Sequence, residues 1–273
     1  MDAIDTLNSS WRKVAMAIYK KPVDSKIFGS VEIDVTELED FITVKRKEGI
    51  KITLTHLITL AVSRALKEEV PALNTFVKRG KIIQRIHIDA MVSVLLKAGH
   101  MDSVKITDCD TLTIKELSVA LNSEIQKIRL ESNLEKKNIR NRLYLVPWPF
   151  RNWIIQLIKT VVIDWGISIA WLNLKTDNFG SFVVSNIGSI GLDVGYPALF
   201  PISNVPFVII MGGVNKKPFV VDDEIKIRRI LTLSVALDHR VVDAIHGGKL
   251  FRYIKKVVRN PEILDIKPSW ASA

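Results

Sequence analysis

Along KIFGSVEIDV (26–35) apolar and polar side chains alternate, the period of a half-buried strand. Thr36 and Glu39 follow, three positions apart, a spacing that predicts a capping box opening a helix. Over TLTHLITLAVSRALKEEV (53–70) apolar positions recur at helical spacing until Pro71 interrupts the pattern. HIDAMVSVLLKA (87–98) reads as a buried strand, and Thr113 with Glu116 predicts a second capping box, for a polar helix reaching about Lys137. Three further β-branched runs, SFVVSN (181–186), PFVIIMGGV (206–214) and IKIRRILTLSVALD (225–238), read as sheet strands. From Val241 to Val258 the spacing turns helical again, although Gly247 and Gly248 each cost about 1 kcal/mol relative to Ala. A strand-to-helix junction is therefore expected at His239.

Residues 139–172 break this regularity, with Trp148, Trp153, Trp165 and Trp171 in one apolar stretch. A spanning helix needs roughly 20 mostly apolar residues, and Gln156, Lys159 and Asp164 interrupt every window of that length. The stretch is expected to pack on the sheet or on a neighbouring subunit. An interfacial amphipathic helix stays open, because residues 127–151 bring seven basic and two acidic side chains to its start. No repeat or Pro/Gly/Ser linker divides the chain, so one domain over 1–273 is expected.

Apolar residues make up 48% of the 273 and charged ones 25%, which excludes a disordered chain. Cys109 is the single cysteine and no signal-like opening is present, so a cytoplasmic location is expected, with peripheral membrane contact left open. The net charge of +10 suits an anionic partner. The basic residues are dispersed and no zinc-finger or RNP-like pattern occurs, so nucleic acid is not expected. GGVNKK lacks the spacing of a phosphate-binding loop, and SNIGSIG contains no nucleophile elbow. His100, His246 and Cys109 have no partner at metal-ligand spacing, so no metal is expected.

The chemistry concentrates in LSVALDHRVVDAIHGG (233–248). A histidine where a strand ends has a fixed backbone and a ring free to meet a cleft, and its ordinary pKa of about 6.5 suits base catalysis. LSVALDHRVVDA resembles the signature of the catalytic domain of 2-oxoacid dehydrogenase acyltransferases, the E2 components, where D-H-R-x-x-[DN]-G follows a strand. FVVSNIGSIG (182–191) is similar to that family's T-I-S-N-L-G segment. VEIDVTEL (31–38), LTHLITLAVSRALKEEVPALN (54–74), VKITDCDTLTIKELSVALNSEI (104–125) and NVPFVIIMGGV (204–214) resemble further family segments in order. The likeness covers about 11–265, with 139–172 as its main exception.

This resemblance implies an α/β fold, an α+β sandwich like that of chloramphenicol acetyltransferase, with a mixed β-sheet flanked by helices. It also implies acyl transfer from a thioester, with coenzyme A as cosubstrate, to a thiol or hydroxyl acceptor on a small molecule or carrier protein. His239 would be the general base and Ser185 the oxyanion donor, with Asp243 supporting the histidine. Arg12 matches a basic residue that pairs with such an aspartate, with Lys13 and Arg240 as competitors. The family's domain is trimeric and assembles further, so His239 of one chain would face Ser185 of the next. Two features depart from the pattern: Ala244 replaces a glycine, and LLKAGHMDSVKI (95–106) replaces a loop near the substrate channel. No lipoyl or subunit-binding domain, and hence no covalently bound lipoyl group, is expected on this chain. A trimeric scaffold or membrane-associated binding module with little catalysis is the competing reading. Joint presence of His239, Asp243 and Ser185 speaks against it.

Overall fold

In the computed structural model, residues 25–95, 101–131, 147, 150–169, 178–200 and 203–272 are described. Their centre is a mixed six-stranded sheet in the order β1-β8-β7-β6-β4-β5. The strands are β1 (Lys26–Asp34), β4 (Ala90–Leu95), β5 (Met101–Ile106), β6 (Phe182–Asn186), β7 (Phe207–Val221) and β8 (Glu224–Asp238). β4, β6 and β7 run parallel, whereas β1, β8 and β5 pair antiparallel with their neighbours. A separate hairpin joins β2 (Thr75–Lys78) to β3 (Lys81–Gln84).

Helices α1 (Thr36–Lys47), α2 (Leu54–Glu68), α3 (Ile114–Glu131) and α5 (Ala244–Arg259) pack on one another and on the sheet, forming a second layer. The core lies between the layers. Period-2 alternation directs Leu231, Leu233, Val235 and Leu237 of β8 into it, beside Phe207, Ile209 and Met211 of β7. Phe182 stacks on Phe207 with ring centroids 5.6 Å apart. α2 is buried on nearly every side, so its Arg64 guanidinium lies inside the protein and donates to the carbonyls of Ile263, Leu112 and Ile266 at 2.5, 3.0 and 2.8 Å. Those bonds hold the chain's last turns against α2.

The expected mixed sheet flanked by helices is what the structure has, and the box at Thr113 and Glu116 forms, with bonds of 2.9 and 3.3 Å. The box at Thr36 and Glu39 does not. Val35 is the N-cap of α1, and Asp34 just before it accepts from Thr36 N at 3.0 Å and from Thr36 Oγ1 at 2.6 Å. Glu39 turns to Arg229 of β8, 3.0 Å away. The part of 95–106 read as a replaced loop contains an edge strand, β5, and the strand expected over 87–98 begins only at Ala90. The polar helix is described to Glu131, and His100 lies outside the described residues.

The paired glycines of β7 have a steric cause. A register shift separates Met211 from Val214, and the loop after β6 comes so close that a Cβ on Gly212 would sit 1.8 Å from the Asp193 carbonyl oxygen. This tight packing, rather than phosphate binding, accounts for GGV.

The Trp-rich segment folds as α4 (Phe150–Ile158) followed by a π-helical turn, Lys159–Asp164. Of the two packings expected, on the sheet or on a neighbouring subunit, the first is not found among the described residues: Trp153 is 82% exposed and Leu157 63% exposed, and no described residue of the segment joins the core between the layers. Trp148 and Trp171 lie outside the described residues.

Candidate active site

β8 is buried from Ile230 to Asp238, and the chain leaves the sheet at His239. Backbone bonds fix this exit: Asp238 N donates to Pro206 O and His239 N to Ser25 O, both at 2.8 Å. The amides of Val241 and Val242 close a turn onto the Asp238 carbonyl at 3.0 and 3.1 Å. The Asp238 carboxylate braces the turn, taking Arg240 N and Nε at 3.0 Å, Arg240 Nη2 at 2.6 Å and Ser25 Oγ at 3.3 Å. Burial alone would raise the Asp238 carboxyl pKa, but the hydrogen bonds and charge of Arg240 hold it below the ordinary range. The same bonds push the Arg240 guanidinium up, with a smaller push from Asp164 of the π turn.

On this braced turn His239 is half-exposed, with Nδ1 3.1 Å from the Val242 carbonyl oxygen and 3.3 Å from Asp243 Oδ1. A carbonyl only accepts, so in this contact Nδ1 carries the proton and Nε2 of the neutral ring keeps the basic lone pair. Asp243 is the N-cap of α5 and forms a capping box with His246, whose Nδ1 accepts from Asp243 N at 3.0 Å. One aspartate thus starts the helix and faces the imidazole. Ala244, in place of the family's glycine, is the first residue of α5 and is compatible with this start.

Ser185 lies near the end of β6, half-buried, its hydroxyl without a hydrogen bond among the described residues. Its neighbour Asn186 donates to Thr55 Oγ1 at 3.2 Å and accepts from Ser189 N at 3.2 Å, which fixes the strand end against the start of α2. Ser185 stands opposite Ile210, and Ile210 opposite Ser234, five residues before His239. With strands about 4.8 Å apart and a rise of about 3.3 Å per residue, Ser185 and His239 of one chain are roughly 15–20 Å apart.

The structure therefore brings together His239, Asp243 and the Asp238–Arg240 pair, and leaves Ser185 at a distance. Arg240 is committed to Asp238, so it does not compete for Asp243. Arg12 and Lys13 lie outside the described residues. Sequence reasoning missed two groups: the Val242 carbonyl, which only the fold can place, and Asp238, whose position two before Arg240 in a tight turn was the available signal. A cavity of about 600 Å³ lined by Glu32, Glu37, Arg228 and Lys255 lies at the other end of β8, well away from His239. Among the described residues no cluster of His, Cys, Asp or Glu could hold a metal.

This sheet with its helical layer is the fold of E2 catalytic cores. The cubic core of the pyruvate dehydrogenase multienzyme complex superposes with a TM-score of 0.63, at 18% identity, over 89% of this chain and 85% of that one. Dihydrolipoamide acetyltransferase of Azotobacter vinelandii, in which a serine, a histidine and an asparagine were investigated for their role in catalysis, gives 0.60 at 17% identity, over 89% and 85%. The family model for 2-oxoacid dehydrogenases acyltransferase (catalytic domain) matches residues 4–143 and 173–265, and the chain belongs to that family. The acetyltransferase component of the Staphylococcus epidermidis pyruvate dehydrogenase complex is 26% identical over 241 residues, 85% of this chain. The match spans 45% of that relative's length.

Proposed function

We propose that the chain is an acyltransferase of the E2 type that moves an acyl group from a thioester, acyl-coenzyme A, to a thiol or hydroxyl acceptor. The observation that carries this reading is the His239 ring, held at Nδ1 by Val242 O and Asp243 with Nε2 left without a partner among the described residues. As the acceptor sulfur or oxygen attacks the acyl carbon, Nε2 takes its proton and the carbonyl electron pair moves onto oxygen. The resulting oxyanion accepts a hydrogen bond from the Ser185 hydroxyl. Collapse of the intermediate breaks the original carbon–sulfur bond, and the departing thiolate takes the proton back from the imidazolium. A thiol with pKa near 8.5 is mostly protonated at neutral pH, which is why a positioned base matters.

Ser185 and His239 of one chain stand too far apart to share a carbonyl, so the working site takes its serine from a second copy, in a trimer. An exposed apolar patch supports such assembly. Tyr196 packs edge-on against Phe28 at 5.6 Å beside exposed Ile190, Leu192 and Val194, on the loop that follows Ser185. The Azotobacter enzyme's three investigated residues come in the same order, serine, histidine, then an amide four positions after the histidine, as Asp243 follows His239. The +10 net charge favours approach of the coenzyme A phosphates.

The test is acyl transfer from a series of acyl-coenzyme A donors by wild type and His239→Ala. Loss of about 10²–10⁴-fold in kcat with an unchanged unfolding midpoint is expected. Equal turnover in both proteins would leave a scaffold.

A further inference from the structure

The family model passes from residue 143 to residue 173, so α4 and the π turn belong to this chain and not to the family pattern. An amphipathic helix normally turns its apolar side to a core, yet in α4 Phe150, Trp153, Ile154, Ile155 and Leu157 are all exposed. The π turn docks on the β2–β3 hairpin: Arg79 N donates to Asp164 O at 2.7 Å and Arg79 Nε to Trp165 O at 3.1 Å. That hairpin also shows Ile82, 55% exposed, and Ile86 just beyond it is 92% exposed. Lys78, Arg79, Lys81 and Lys159 lie among them, with no carboxylate partner among the described residues.

We propose that α4, the π turn and the β2–β3 hairpin together form an anchor that seats the protein in the headgroup layer of an anionic bilayer. Three features favour lipid over a second protein surface. The helix has a strong apolar side and a polar one, the amphipathic form that lies in the plane of a bilayer interface. Lysines stand among them, and lysine is depleted in protein interfaces but snorkels well at lipid interfaces. Trp153 and Trp165 are the residue type that membrane interfaces enrich. The seven basic and two acidic residues of 127–151 add the matching charge. Among the described residues no helix is long and apolar enough to cross a membrane, so the anchor lies on the surface. Thr75, Phe76 and Val77 of the hairpin line one small cleft with Asp238 and Val241, so the anchor sits beside the His239 turn.

Flotation of the full chain with vesicles tests this, using phosphatidylcholine alone and a two-to-one mixture with phosphatidylglycerol. Binding to the mixed vesicles, with a blue-shifted tryptophan emission and release by salt, is expected. W153S/L157S should bind about tenfold more weakly or worse, and each of K78Q and K81Q about fivefold more weakly. Trp153, Leu157 and Lys81 are exposed, and Lys78, half-buried at the end of β2, keeps most of its length as Gln, so the variants should keep the wild-type unfolding midpoint. Wild type that ignores mixed vesicles, or a double variant that binds them as well as wild type, overturns the proposal. So does a wild type that ignores vesicles while W153S/L157S shifts the oligomeric state, which would assign the face to a second copy.

Discussion

The turn at His239 and the inserted segment at Phe150–Asp164 both lie against the β2–β3 hairpin, yet they are built in opposite ways. In the turn, backbone and carboxylate bonds fix each residue from Asp238 to Asp243, and a single ring nitrogen is left open. In the insert, hydrogen bonds hold the backbone while the apolar side chains go uncovered. The first arrangement suits chemistry, which needs a group fixed within a fraction of an ångström. The second suits a soft partner, for which area and charge matter more than position.

Substitutions sharpen the contrast, the tied parts being costly to change and the insert cheap. Arg64→Ala should be the most damaging to stability, by about 3–5 kcal/mol in urea unfolding, because three carbonyls inside the protein lose a charged donor at once. His56 is next. It accepts from Thr53 N at 3.2 Å at the start of α2, and burial, aided by the charge of Arg46, lowers its pKa from 6.5 to about 4. The unfolded chain therefore binds a proton that the folded one refuses. The associated stability is complete above pH 6.5 and falls as pH drops toward about 4, by up to about 3 kcal/mol. Unfolding midpoints at the two ends of that window should differ less in His56→Gln, which keeps an acceptor for the Thr53 amide.

Asp238→Ala should cost about 2 kcal/mol, since Arg240 can turn to water while the Arg240 amide loses its acceptor. Acyl transfer should fall with it, because the ring of His239 rides on that turn. Trp153→Ser should change stability by less than about 0.5 kcal/mol, the ordinary value for an exposed position. A large loss there would mean that the helix is packed after all, and would erase the difference between the two regions.

Much of this was legible in the sequence where one pattern governed one outcome. Alternation gave β1, β-branched runs gave β6, β7 and β8, helical spacing gave α2 and α5, and His239 stands at the strand end where the spacing changes. The reading failed where two partners competed for one group. Asp34 took the Thr36 amide and hydroxyl, and Arg229, on the strand paired with β1, drew Glu39 away. The short strands β2, β3 and β5 carry too many polar residues to stand out, and only pairing reveals them. The Trp-rich segment showed its amphipathic character but not its occupant, since periodicity says which side is apolar and nothing about what covers it. Ser185 was identifiable by its resemblance, whereas its separation from His239 follows from register alone.

The central claim is that one chain supplies the base and another the oxyanion donor. It is tested most directly by mixing His239→Ala and Ser185→Ala proteins, each inactive alone, after dissociation and reassembly. If the sites lie between copies, the mixture regains acyl transfer, since some interfaces pair an intact histidine with an intact serine. A mixture of confirmed hetero-oligomers that stays as inactive as its parents would contradict the account.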